Sequence, residues 1–219
     1  IAQMRGFITG KRYKVITVFV DQYSDLSFVY TQKSTTAEET VQAKEAFERY
    51  AKTHGVTVRH YHADNGIFAE AEFIRAVEKS GQSISFCGVN AHHMNGHAEK
   101  RIRDLQENAR AMLLHAKRRW PTAVSMYLWP YAVRMANEVH NFSPSIKEAI
   151  SPIEKFSQVQ VSPRVKHCHT FGCPVYVLDG KLQVGKGVPK WDDRARIGLF
   201  LGFSPRHGRK VALVLNLST

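Results

Sequence analysis

The chain has 219 residues, 43% hydrophobic and 11% aromatic, a balance that fits a folded globular unit and excludes a disordered one. No apolar run is long enough to cross a bilayer, and three cysteines are too few for a disulfide framework, so a reducing compartment is the default. The net charge of +12 is uneven: residues 1–94 carry 11 Lys/Arg against 10 Asp/Glu, and residues 95–219 carry 20 against 9. That asymmetry points to a polyanion, nucleic acid before membrane, with a basic surface kept for solubility as the alternative.

YKVITVFVD (13–21) is β-branched and aromatic on both faces, so it predicts a strand covered on both sides. Gln22 to Asp25 supplies turn residues and LSFVYTQK (26–33) returns as the second arm of a hairpin. From Thr36 the period becomes helical, with Val41, Phe47, Tyr50, Ala51 and His54 near one stripe, acids early, Lys52 late and Gly55 as the stop. A short strand follows at 57–64, a helix over Ala69 to Ser80, and a strand at 83–89. Asn95 is placed to cap a long helix reaching about Lys117, with Ala98, Ile102, Leu105, Ala109, Met112 and Leu113 on its buried face. Glu99, Arg103, Gln106 and Arg110 share the solvent side. An aromatic-rich helix is expected over 121–141 and a short one over 152–158. After about 163, VYVLDG, ARIGLFLGF and KVALVLNL predict strands, either a small β module or strands added to the core. The division expected is a core over 1–145, a linker with a short helix over 146–162, and a β-rich part over 163–219 in an α/β protein.

Two acids stand where chemistry is done. HADNG (62–66) puts Asp64 at the carboxyl end of a strand, where α/β sheets bind ligands and metals. NGHAEKRIRD (95–104) puts Glu99 at the front of a basic helix, 35 positions later. Brought together, the two carboxylates would repel, and a hard divalent cation removes that penalty. Two such ions about 4 Å apart stabilise attacking and leaving oxygens in phosphoryl transfer. The plainer readings stay open on spacing alone: Asp64 as a turn former, and Glu99 as a first-turn acid favoured by the helix dipole.

The run HADNGIFAEAEF, KSGQSISFCGVNAHHMNGHAEKRIRDLQENARAML, LWPYAVRMANEVHNFSP, SPIEKF, HTFGCPVYV and RARIGLFLGF resembles, in that order, the integrases of copia-like retrotransposons. The resemblance implies a ribonuclease H-like mixed sheet flanked by helices, with a small C-terminal β-rich extension. It also implies two-metal cleavage and strand transfer joining element DNA to target DNA, with Mg²⁺ or Mn²⁺ held by Asp64 and Glu99. DNA, at element ends and target, is the implied partner, contacted by Asn95, Lys100, Arg101 and Arg103 and further along by Lys117, Arg118 and Arg119. A homo-oligomer is expected and no membrane; in an intact element the locations would be the nucleus and a cytoplasmic virus-like particle. A degraded or co-opted DNA-binding module and a ribonuclease H-like nuclease are the alternatives.

The resemblance also implies a first catalytic Asp on the strand before VFVDQYS. IAQMRG (1–6) contains no acid, so the chain is expected to begin after that Asp, with its first strand missing or incomplete and no upstream zinc module. Asp21 is then a turn residue. His92, His93 and His97, and HCHTFGC (167–173), lack the paired spacing of a zinc site, and are assigned to a DNA-touching loop and to the β-module core. Cys87 reads as a small buried hydrophobe.

Overall fold

The computed structural model describes residues 1–88, 95–146, 148–160, 169–205, 207 and 211–217. Strands β1 (Ala2–Arg5), β2 (Val15–Val20) and β3 (Ser27–Gln32) form an antiparallel sheet with β2 in the middle. Ala2 lies opposite Val18, and Phe19 opposite Phe28, so the expected hairpin forms in register. Nearly all of β2 is buried, as its two-faced apolar pattern predicts. Strands β4 (His60–Ala63) and β5 (Ser83–Phe86) pair in parallel. The backbone nitrogen of Ile1 donates to the His62 carbonyl (2.6 Å), which joins the two ribbons at a seam between β1 and β4. The strand beside β4 is thus β1, four residues long, and none of those four is acidic.

One face of the sheet is covered by α1 (Ala37–Thr53) and α2 (Ala71–Lys79). Thr36 caps α1 by accepting from the Glu39 nitrogen (3.4 Å). Phe19, Phe47, Tyr61, Phe68 and Phe73 fill the layer between, with Phe19 and Phe47 stacked at 4.8 Å. Within it lies a buried charge: Lys44 is 1% exposed, 2.8 Å from Glu48, and donates to Ser80 (3.0 Å). The Glu48 carboxylate also accepts from Tyr61 (2.7 Å) and Gln82 (2.7 Å). Burial alone would raise its pKa, but these bonds and Lys44 outweigh burial and hold it below the ordinary value; the same arrangement pushes the Tyr61 phenol up.

The opposite face carries α3 (Gly96–Arg119) and α4 (Trp129–Phe142). Ile16 and Val18 meet Leu105, Ala109 and Leu113 of α3 and Val133 and Ala136 of α4 in one cluster. Each such aliphatic side chain contributes about 1.5–3 kcal/mol by leaving water. The aromatic helix begins at Trp129, later than the expected residue 121. Residues 121–128 hold a turn and a 3-10 segment (Met126–Leu128), and Pro130, which has no amide hydrogen to give to a preceding turn, sits in the first turn of α4. The short α5 (Pro152–Ser157) is closed by a capping box of Ser151 with Glu154, and Ile153 and Phe156 pack on Leu26 and Ala51.

Strands β6 (Pro174–Leu178), β7 (Ala195–Phe203) and β8 (Ala212–Asn216) form an antiparallel sheet in that order, with the single-turn α6 (Gly180–Gln183) after β6. Of the two arrangements expected after residue 163, strands packed on the core are found: Leu199, Phe200 and Leu201 enter the same cluster as α3 and α4. Gly172 sets the approach, because a Cβ there would lie 2.5 Å from that of Ala116 and its φ is +75°.

Candidate active site and nucleic-acid face

Alternation along β4 sends Tyr61 and Ala63 into the core, leaving His60 and His62 on the other side, with Asp64 next in that alternation just past the strand's carboxyl end. His62 pairs through Nδ1 with Ser85 (2.9 Å), and its Nε2 lies 3.5 Å from the Cys87 sulfur. The turn after the strand is fixed by Asn65, whose amide donates to the Cys87 carbonyl (3.0 Å), and by Phe68, which is fully buried. Turn formation thus falls to Asn65. The Asp64 carboxylate is half-buried and makes no hydrogen bond or ion pair among the described residues.

Helix α3 begins beside this strand end. Asn95 occupies the position before the helix, but its side chain does not cap it. The amide instead donates to the Ile1 carbonyl (2.9 Å), at the seam where Ile1 meets His62. The expected cap is corrected for that reason: a buried amide satisfies a strand carbonyl first, and at 4% exposure Asn95 does not present itself to DNA. Glu99 lies four residues on, hence on the same helical face, and is exposed. The seam that anchors α3 is two residues from Asp64 on one side and four residues from Glu99 on the other.

Arg101 also departs from expectation. Its side chain is 11% exposed and ion-paired with Asp25, in the β2–β3 turn. It further contacts His140 Nδ1 of α4 (3.1 Å) and lies 3.8 Å from Asp104. Asp25 additionally receives His97 (3.0 Å), and its carbonyl accepts from His140 Nε2 (2.9 Å). Burial, with Arg101 alongside, holds the His140 pKa below its usual value against the opposing pull of Asp25. Arg101 is thus committed to an internal ion pair, so a phosphate would have to displace Asp25. Asp25 is the functional candidate that sequence reasoning missed; its partners lie 72, 76 and 115 positions away, and the only local signal is an acid in a hairpin turn.

The remaining predicted contacts are free. Lys100, Arg103, Lys117, Arg118 and Arg119 are exposed along α3, and Arg103, Arg110 and Lys117 recur every seven residues on one side of a helix about 36 Å long. Asp21 behaves as a turn residue: its carboxylate accepts from the Ser24 nitrogen (2.8 Å) and hydroxyl (2.6 Å). His92 and His93 lie outside the described residues, as do His167 and Cys168. His169 packs edge-on against Phe200 (5.4 Å), and Cys173 is partly buried, which pushes its thiol up. Cys87 is buried, as a small hydrophobe would be.

Among the described residues no group of three or more His, Cys, Asp or Glu side chains is arranged to hold a metal ion. Asp64 and Glu99 are a set of two hard oxygen donors, neither hydrogen-bonded nor ion-paired among the described residues, although the Ile1 amino group interacts electrostatically with Asp64. Such a set suits Mg²⁺, which is commonly bound by one or two carboxylates with water and phosphate oxygens completing its shell. No helix of the described residues is long and apolar enough to cross a membrane.

No family model matches the sequence. Among solved structures, the chain is similar to the catalytic core domain of the HTLV-2 integrase, determined in complex with magnesium in a trimeric form. Identity is 20%, the match covers 70% of this chain and 93% of that one, and the TM-score is 0.51. A likeness at that identity concerns the fold: the chain has a ribonuclease H-like, integrase-core architecture, a mixed sheet between helices, extended by a smaller C-terminal sheet.

Proposed function

We propose that this chain is the core of a retrotransposon integrase, joining element DNA to target DNA by metal-dependent phosphodiester cleavage and strand transfer. The observation that carries the reading is the placement of Asp64 and Glu99. One follows directly on β4 and the other lies in the first turn of α3, and α3 is anchored through Asn95 to the seam beside β4. In that arrangement the two carboxylates would hold Mg²⁺ or Mn²⁺. When bound, the ions supply charge stabilisation to the attacking and leaving oxygens of an in-line displacement.

The protein's own contributions follow from position. Lys100 and Arg103, beside Glu99, neutralise phosphates next to the scissile bond, and Lys117, Arg118 and Arg119 extend the track. Arg101 and Asn95 serve the same face indirectly by fixing the helix that presents it. Self-association is part of the proposal, because one active site must act on each element end. The nucleus and a cytoplasmic virus-like particle remain the proposed locations.

The test is strand transfer by the full-length protein containing this chain, with a labelled element-end duplex and Mg²⁺ or Mn²⁺. Asp64→Asn and Glu99→Gln are each expected to reduce joining to background while DNA binding persists. Wild-type joining by either variant would sink the assignment. Salt-dependent DNA binding with no turnover under any metal would point instead to a DNA-binding module without catalysis.

A further inference from the structure

We propose that Asp25 is the positioning residue of this site, gripping the first turn of α3 so that Glu99 faces the end of β4. The inference rests on the reading of Glu99 as a metal ligand given above.

His97 and Arg101 are four residues apart, so they lie on one face of α3, and both reach the Asp25 carboxylate, His97 to one oxygen (3.0 Å) and Arg101 to the other. Glu99 is two residues from each, about 200° round the helix, and projects from the opposite side. On Glu99's own side, Asn95 ties the helix start to the Ile1 carbonyl. The first turn is thus held from both sides, at the seam by Asn95 and at the back by Asp25, and its roll about the helix axis is fixed. Releasing the rear grip lets Glu99 swing although nothing touching Glu99 has changed.

Asp25 is itself held rigid. Its φ is +62°, in the left-handed region, and its carbonyl is locked by His140 of α4. Asp21 sets the same turn through Ser24. Arg101 has an alternative acid in Asp104, but at 3.8 Å against direct contact with Asp25, so Asp25 is the dominant partner. Asp25 and His97 are 43% and 49% exposed, too wet for these ion pairs to matter chiefly as stability. What they supply is orientation, and small errors in holding a metal ligand are costly.

The test uses the full-length protein and Mn²⁺ alone, followed by electron paramagnetic resonance, beside amide hydrogen exchange without metal. Asp25→Ala is expected to weaken Mn²⁺ binding about tenfold and to speed exchange in the first turn of α3, leaving the Ala109–Ala116 segment protected. In the Glu99→Gln background the same change is expected to have no further effect on Mn²⁺, because Asp25 acts through Glu99. Asp25→Asn, which keeps the shape and removes the charge, gives the same comparison if the alanine variant folds poorly. Unchanged Mn²⁺ affinity in Asp25→Ala and Asp25→Asn, with Glu99→Gln weakened, would overturn the positioning role alone. A loss that adds in full to that of Glu99→Gln would overturn it too, as general damage. If Glu99→Gln binds Mn²⁺ like wild type, the ligand assignment falls and the positioning role falls with it.

Discussion

Glu48 on one face of the central sheet and the pair Asp64 and Glu99 on the other are treated in opposite ways. On the α1 side, Glu48 is answered by a lysine, a phenol and an amide, and the lysine is sealed from water. On the α3 side, Asp64 and Glu99 have no hydrogen-bond or ion-pair partner among the described residues, although basic side chains line the same helix. A fold that satisfies one carboxylate three times over and leaves two others bare is separating stability from chemistry. The first kind of acid holds layers together, and the second kind waits for a ligand.

Lys44→Met strands the Glu48 carboxylate and is expected to cost about 3 kcal/mol, read as a lower midpoint in urea unfolding. Of comparable size, Phe200→Ala should cost about 3–5 kcal/mol. Because Phe200 lies in the cluster shared with α3 and α4, the C-terminal strands and the core should unfold in one transition when followed by both fluorescence and circular dichroism. Two separate transitions would show that the strands fold on their own.

A smaller effect appears with pH. The folded-state pKa of Glu48 is depressed, so its contribution is complete above the ordinary value of 4.5 and is lost as pH falls through the folded value. Urea midpoints taken downward from pH 5 should therefore fall more steeply for wild type than for Glu48→Gln. Matching slopes would mean that the three bonds do not outweigh the burial. On the α3 side, Arg103→Ala and Lys117→Ala should each reduce the slope of log affinity against log salt by about 1 for duplex DNA. Arg101→Ala should instead leave that slope unchanged, since its guanidinium is committed to Asp25. Smallest of all, Asp64→Asn and Glu99→Gln should shift stability by no more than about 0.5 kcal/mol. The changes least felt by the fold are those expected to abolish function.

How far this was legible in the sequence depended on the reach of each interaction. β2, α1 and α3 follow from period alone, because a two-faced apolar run and a helical stripe are local signals. The placement of Asp64 at a strand end was equally readable, since DNG marks the turn. Asn95 was read correctly as a helix boundary and incorrectly as its cap: the residue that claims its amide, Ile1, is 94 positions away. Arg101 looked like its neighbours Lys100 and Arg103, and only the tertiary fold brings Asp25 to it. The stretch before Trp129 was expected to be helical, but Pro121 and Pro130 bracket a segment that turns instead. The packing of β7 on α3 and α4 had no local signature, as its apolar pattern fits a separate module equally well.

The central claim is that Asp64 and Glu99 form one metal site. Crystals of the full-length protein soaked in Mn²⁺, measured at the manganese absorption edge, test it directly. An anomalous peak is expected within coordination distance of both carboxylates, lost in Asp64→Asn crystals. A manganese peak held by other residues, with Asp64 and Glu99 both bare, would contradict it.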